Sequence, residues 1–312
     1  MKAVVYDRYG PPEVLRIADV ADPKPKAGGV LVRVTRAALN PKDALTRRGR
    51  FRQLSGRRFP KRIGMDFAGV VLESRSPRFT TGQRVFGFIA EVRYSRGTLA
   101  EKVACRPNEL AAIPDDVSDE EAAASALVGL TVLQAYRDKA RLEPGQRVLV
   151  NGGSGGVGTF AIQIGRLLGA IVHTVSSETN RAFCTELGAH QTWSYPEHGW
   201  KDEPRFDVIF DVFGNLVFSD VKQHLAPHGR FVSTVPSPKR FLREVTSRFA
   251  SQQERLIVVR PRTADFETIA EWLAAKKLRV VIDARCSLDE LKPAFERLES
   301  KRTRGKIVIE LG

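Results

Sequence analysis

The chain has 312 residues, 50 of them Lys or Arg against 36 Asp or Glu, for a formal net charge of +14. At 42% hydrophobic and 28% charged it is too apolar for a disordered chain and too varied for a fibrous one. No apolar run approaches the roughly 20 residues of a membrane-spanning helix, and the apolar stretch after Met1 is too short for a secretory signal. Three scattered cysteines, Cys105, Cys184 and Cys286, argue against a disulfide framework or a Cys-rich zinc site. The expectation is a soluble, cytoplasmic protein of about two domains.

The first 115 residues predict β structure, with strand-like runs at 30–34, 69–72 and 83–86 separated by Gly and Pro. After Pro114, Ser118 followed by Asp119, Glu120 and Glu121 predicts a capped helix start leading into an Ala-rich helix. From Glu143 strands and helices alternate: strand 147–150, a glycine-rich loop, helix 159–168, strand 171–175 and helix 180–187. Strands at 208–211, 230–234 and 256–259 continue the series, and the alternation predicts an α/β doubly wound parallel sheet. The tail predicts helix 265–276, strand 280–282, helix 288–298 and strand 306–311. The expected division is a β-rich domain of 1–122 plus 263–312, with an α/β domain inserted at 123–262.

The strongest chemical signal is the run from Asn151 to Gly158. It contains Gly153-x-Gly155-x-x-Gly158, directly after a strand and directly before a helix. In that context the glycines permit a tight turn and close approach of a pyrophosphate, whose charge meets free N–H groups at the helix start. Gly153, Ser154, Gly155, Gly156, Val157 and Gly158 are therefore candidate contacts to a dinucleotide. The end of the next strand selects between NAD and NADP. An acid there would favour NAD, but the chain has Ser176-Ser177 with Arg181 close by. Hydroxyls and a guanidinium suit a 2′-phosphate, so NADPH is the expected cofactor and NADH the alternative. Glu178 dissents from its place beyond the strand end.

The chain also resembles the medium-chain dehydrogenase/reductase superfamily, in its zinc-free quinone oxidoreductase branch. The likeness rests on the segments 37–43, 64–71, 127–135, 151–158, 187–189, 207–211 and 304–308 and covers essentially the whole chain. The C-terminal half is most similar to the mitochondrial reticulon-interacting group and its bacterial relatives. The resemblance implies a Rossmann domain inserted in a GroES-like catalytic domain, a cleft between them, and a homodimer joined through Rossmann edge strands such as 256–259.

Zinc-dependent relatives carry Cys, His and Cys where this chain has Asn40, Met65 and Leu127. A catalytic zinc needs three N, S or O protein ligands, so the sequence assigns no metal. Without a Lewis acid to polarise an alcohol, hydride is expected to pass from NADPH to an electron-poor small molecule, a quinone or an α,β-unsaturated carbonyl. The alternatives are an enoyl-thioester reductase, or a non-enzymatic NADPH-binding sensor or RNA-binding relative. The resemblance implies that Asn40 and Thr131 lie beside the nicotinamide and that Lys42 takes the proton-relay position, making these three the candidate catalytic residues. It gives Asp43 and Asp66 structural roles, paired with nearby Arg. Relatives often carry Tyr at the position of Leu45, so a Tyr acid is absent there. The resemblance adds Tyr195 to the 2′-phosphate contacts and Arg304 and Lys306 to the C-terminal ones. Val212, Phe213 and Val235, at strand ends, complete the candidate cofactor-binding set.

The positive surplus is uneven. Between Arg47 and Arg62 stand eight basic residues and no acid, with Phe51 and Phe59 interleaved. The resemblance puts this segment on the cleft rim, where it would attract an anionic acceptor such as a coenzyme A thioester. Nucleic acid is the less favoured partner, and a solvated Arg-rich face is the plain alternative.

Overall fold

Alternation of apolar residues makes Val30–Ala38 a strand that buries Val30, Val32 and Val34 on one face. It pairs antiparallel with Asp66–Ser74 on one side and with Lys306–Glu310 on the other. This computed structural model describes residues 1–56, 58–91, 95–195, 197 and 199–311. It divides into two compact units, Met1–Leu130 with Arg260–Gly312, and Thr131–Val259. The first boundary falls inside the helix Asp119–Gln134, after Leu130 where 122 was expected, so the helix's first turns belong to the β-rich unit.

In the first unit, a seven-stranded sheet runs Ile282–Cys286, Lys306–Glu310, Val30–Ala38, Asp66–Ser74, Arg84–Phe88 and Leu110–Ala112, with Lys102–Cys105 also paired to Val30–Ala38. A smaller antiparallel sheet joins Leu15–Asp19, Lys2–Tyr6 and Lys61–Arg62. Val30, Val32, Phe67, Val71 and Val85 fill one core; Val4, Leu39, Ile63, Phe295 and Ile309 fill another.

In the second unit six parallel strands lie in the order Gln191–Ser194, Ile171–Ser176, Arg147–Asn151, Phe206–Asp211, Leu225–Ser233 and Gln253–Leu256. Counted along the chain that is third, second, first, fourth, fifth, sixth, the doubly wound order of a Rossmann sheet. The order reverses between Arg147–Asn151 and Phe206–Asp211, whose last residues are register partners. Among the described residues no helix is long and apolar enough to cross a membrane.

Several expected bounds move. The helix expected at 159–168 is Gly156–Leu167, since the end of the glycine loop already winds. The strand expected at 256–259 is Gln253–Leu256, and Val258 is exposed. The strand expected at 280–282 is Ile282–Cys286, because register with Lys306–Ile309 extends it forward.

His173, in the strand Ile171–Ser176, stacks on Trp193 at 5.6 Å and meets Phe206 edge-on at 5.4 Å. Neither ring nitrogen has a hydrogen-bond partner. Burial, helped by the charge of Arg147, lowers its pKa from 6.5 to about 4. Below pH 6.5 the unfolded chain binds a proton that the folded chain refuses, so stability falls as pH drops toward 4. The loss tends to about 3 kcal/mol. Urea unfolding should show His173→Phe, which keeps the stack, losing that much less than the parent chain over this range. Equal losses would refute the assignment.

Candidate functional site

Each unit holds a constellation of its own. In the first, Asn40 is the N-cap of the helix Pro41–Arg47, with Pro41 at the first helical position. Register sets Ala38 opposite Asp66 and Val308, and the Leu39 N–H donates to the Ile307 carbonyl at 2.9 Å. Three side chains distant in sequence therefore converge. The Lys306 ammonium donates to Asn40 Oδ1 at 2.6 Å and to Asp66 Oδ2 at 2.9 Å. Asn40 Nδ2 donates to Asp66 Oδ2 at 3.0 Å and to the Ala38 carbonyl at 3.3 Å. The Leu127 N–H donates to Asp66 Oδ1 at 3.0 Å. Asn40, Asp66 and Lys306 are all buried. The partner of Asp66 is thus a lysine, correcting the expected arginine. Leu127, standing where zinc-dependent relatives have Cys, contributes its backbone.

Asp43 is fully buried and accepts the Asn40 N–H through Oδ2 at 2.9 Å, while its Oδ1 has no partner. Burial, with the charge of Asp66 in support, raises its pKa to about 7 against the pull of the Asn40 N–H, Lys306 and Lys42. A group buried in its neutral form favours folding at low pH, so this contribution is lost as pH rises from about 4 through 7. Lys42, beside it in sequence, is half-buried, and burial pulls its ammonium below the ordinary lysine range against the attraction of Asp43.

In the second unit the glycine loop lies where the strand order reverses. A Cβ on Gly158 would stand 2.0 Å from the Gly152 carbonyl oxygen, and one on Gly153 would stand 2.9 Å from Thr174 Cβ. Those two glycines are demanded by the protein's own packing. A Cβ on Gly155 would meet nothing nearer than 3.9 Å. Gly155 is the N-cap of Gly156–Leu167, whose first N–H groups have no partner within the helix, so open space fronts a run of donors. A pyrophosphate fits that cradle. Ser154 Oγ accepts from Asn180.

At the end of the second strand, Ser176 Oγ donates to the Ser177 carbonyl and Ser177 Oγ meets Thr179 at 3.1 Å. The Tyr195 N–H donates to the Ser176 carbonyl, and the residue is 59% exposed. Arg181 anchors Nε on the Thr192 carbonyl at 3.1 Å and keeps its tip 3.3 Å from Glu178. Glu178, beyond the strand end, therefore turns back to the guanidinium. Across the reversal point, Asn151 Nδ2 donates to Asp211 Oδ1, and the N–H groups of Val212 and Phe213 both donate to the Asn151 carbonyl. Phe213 and Val235 are exposed there.

Residues 26–115 match the alcohol dehydrogenase GroES-like domain family, and residues 187–309 match the zinc-binding dehydrogenase family. The chain is 30% identical over 325 residues to the chloroplastic quinone-oxidoreductase homolog of Spinacia oleracea, covering 99% of this chain and 98% of that one. It belongs to the medium-chain dehydrogenase/reductase superfamily, as a quinone oxidoreductase-type enzyme. It is 32% identical to the 2-methylene-furan-3-one reductase of Solanum lycopersicum, over 99% of this chain and 79% of that one. The quinone oxidoreductase structure from Coxiella burnetii superposes with a TM-score of 0.92 at 29% identity, covering 100% and 99% of the two chains. A mycobacterial protein solved with NADPH superposes with a TM-score of 0.81 at 25% identity, covering 100% of both.

Other expected residues of this oxidoreductase make the following contacts. Thr131 is buried near the end of Asp119–Gln134, and the N–H of the exposed Arg304 donates to Asp283. Met65 is buried, and among the described residues no three His, Cys, Asp or Glu side chains could hold a metal ion. The basic segment is only partly turned inward, with Arg48 exposed although paired. Arg47 is buried and paired with Glu299, Arg48 shares that carboxylate, and Lys61 is buried on the Ser55 carbonyl. Arg62 reaches the Ala21 carbonyl, and Phe59 packs on Tyr6 and Tyr9. Arg50, Arg52 and Arg58 remain exposed, and Arg57 lies outside the described residues. Sequence reasoning missed Arg240. It donates to the Leu216 and Val235 carbonyls and to Ser233, tying together the edge that carries Val235.

Proposed function

We propose that the chain is an NADPH-dependent reductase of quinones or of the conjugated double bond of α,β-unsaturated carbonyls, working without zinc. The observation that carries this reading is the open helix N-terminus at Gly155, placed where the strand order reverses. NADPH bound there supplies a hydride. The N–H groups of Gly156, Val157 and Gly158 hold the pyrophosphate. Ser177, Arg181 and Tyr195 hold the 2′-phosphate. The exposed Arg181–Glu178 pair is worth at most about 1 kcal/mol, so a doubly charged phosphate outcompetes Glu178 for the guanidinium. Val212, Phe213 and Val235 border the cofactor mainly through backbone, and Thr131 and Arg304 are further contacts.

Asn40 has both amide N–H groups occupied by protein, and Met65 and Leu127 offer no thiolate or imidazole, so the donor set does not suit zinc. We take Asn40 and Lys306 as the framework of this region. Lys42 Nζ, with its lowered pKa, holds the proton delivered to the acceptor. The exposed Arg50, Arg52 and Arg58 favour an anionic acceptor among the conjugated ones. The NADPH complex of the mycobacterial neighbour and the names of the quinone and furanone reductases support the reading.

The test is NADPH and NADH oxidation over quinones, enones, enals and enoyl-CoA, with and without a chelator and at two salt concentrations. NADPH-preferring turnover of a conjugated acceptor, unaffected by chelator, is expected. Tight NADPH binding with no turnover would mark a sensor instead. Arg181→Ala should weaken NADPH about tenfold and leave NADH unchanged. Lys42→Met should lower kcat/KM on the order of 10²-fold without changing NADPH affinity.

A further inference from the structure

The helix Pro238–Thr246 follows the fifth parallel strand and has two unlike sides. Phe241, Leu242 and Val245 on its outer side are exposed. Arg240 turns inward, its side chain only 13% exposed, and reaches the carboxyl ends of two neighbouring strands. Its Nη2 donates to the Leu216 carbonyl at 2.7 Å, while Nη1 donates to the Val235 carbonyl at 3.0 Å and to Ser233 Oγ. One guanidinium thereby bridges the loop leaving Phe206–Asp211 and the loop leaving Leu225–Ser233. It also lies 3.6 Å from Asp211 and 3.7 Å from Glu254, two buried carboxylates.

Asp211 grips the first loop from within, accepting the Gly214 N–H at 2.9 Å and the Leu216 N–H at 3.2 Å. A Cβ on Gly214 would stand 2.2 Å from Val235 Cγ2, and one on Gly152 would stand 3.3 Å from Phe213 Cβ. The two loops are thus packed on each other, and the first of them on the glycine loop. In a doubly wound sheet the dinucleotide spans the crevice beyond the carboxyl ends of the strands, with its adenosine ribose at the end of the second. The nicotinamide half then falls to the ends of the fourth and fifth strands, where Phe213 and Val235 are exposed. We propose that Arg240 is a positioning residue for NADPH, which fixes the loops 211–216 and 233–237 as the seat of the nicotinamide half without touching the cofactor. Loops left unfixed would have to be ordered by the cofactor as it binds, at a cost in affinity. The planar fork of arginine serves two carbonyls and a hydroxyl at once, whereas a lysine ammonium keeps the charge and loses that geometry. The inference rests on the NADPH reading of the glycine loop.

The test separates the two halves of the cofactor by calorimetry, with NADPH and with adenosine 2′,5′-bisphosphate, which carries the adenosine end alone. Arg240→Met strands two buried carboxylates, so Arg240→Lys is the informative variant. It should keep a urea midpoint close to that of the parent chain, bind NADPH about tenfold more weakly, and bind the bisphosphate within about twofold of the parent. Ser233→Ala removes one acceptor and leaves both charge pairs, so it decides the matter should Arg240→Lys fail to fold. It should weaken NADPH about threefold and spare the bisphosphate. NADPH affinity at the parent level in whichever variant folds overturns the proposal. Equal losses for NADPH and the bisphosphate also overturn it, since they mark a general structural role. A parent chain that binds no NADPH overturns the cofactor reading and this proposal together, whereas a parent that binds beside an unaffected variant overturns this proposal alone.

Discussion

Replacing Lys306 with Met is expected to cost about 3–5 kcal/mol of folding stability, because it leaves the fully buried Asp66 carboxylate without its cation. Burial already raises the Asp66 pKa, opposed by the charge of Lys306 and by hydrogen bonds from Asn40, Lys306 and the Leu127 N–H. Without the ammonium the folded-state pKa climbs further. A carboxyl group with a raised folded pKa favours folding below its unfolded pKa and loses that advantage as pH rises through the folded one. Lys306→Met should therefore be most nearly native at acid pH and fall away toward neutrality. Adding Asp66→Asn to that variant should recover at least about 1 kcal/mol, since the stranded charge is the cause of the loss. Urea unfolding at several pH values measures all of this. A Lys306→Met chain within about 1 kcal/mol of the parent at pH 7, or a double variant worse than the single one, would show that the ion pair is not what holds the region together.

Such an outcome could not have been anticipated from spacing, because Lys306 and Asp66 are 240 residues apart and meet through strand register. The sequence made local features legible. Gly153, Gly155 and Gly158 declare a loop, and most strands of the inserted unit follow from short β-branched runs. Long-range charge pairing was not legible. Arg47 looked like part of a basic surface, yet it is buried against Glu299, 252 residues on. The strand Gln253–Leu256 was placed three residues late because it carries Glu254, an acid buried in a sheet and balanced by Arg240 and Arg243. The helix that supplies those arginines had a readable signal. Ser237-Pro238 is a cap followed by Pro at the first helical position, and Ser237 Oγ accepts the Arg240 N–H. Its apolar outer face, which looks wrong for a helix packed on a protein, is what hid it.

The glycine loop offers the sharpest separation between folding and cofactor binding. Gly158→Ala puts a methyl 2.0 Å from the Gly152 carbonyl oxygen and 2.7 Å from the Gly153 carbonyl group. These are backbone atoms of the loop itself, with no flexible side chain to swing aside, so the turn must open. We expect a loss of about 2–3 kcal/mol in stability and NADPH binding weakened by more than about 10²-fold, since the donors no longer converge. Gly155→Ala meets no protein atom nearer than 3.9 Å. Its folding should stay within about 1 kcal/mol of the parent, the difference between Gly and Ala as an N-cap. The methyl nevertheless occupies the space in front of the helix, where a pyrophosphate must approach the backbone closely. NADPH affinity should therefore fall about tenfold or more while the urea midpoint barely moves. Fluorescence titration with NADPH beside urea unfolding measures both quantities on the same samples. If Gly155→Ala bound NADPH as tightly as the parent chain, the open space before Gly155 would not be where the pyrophosphate sits, and the cofactor assignment would have to leave this loop.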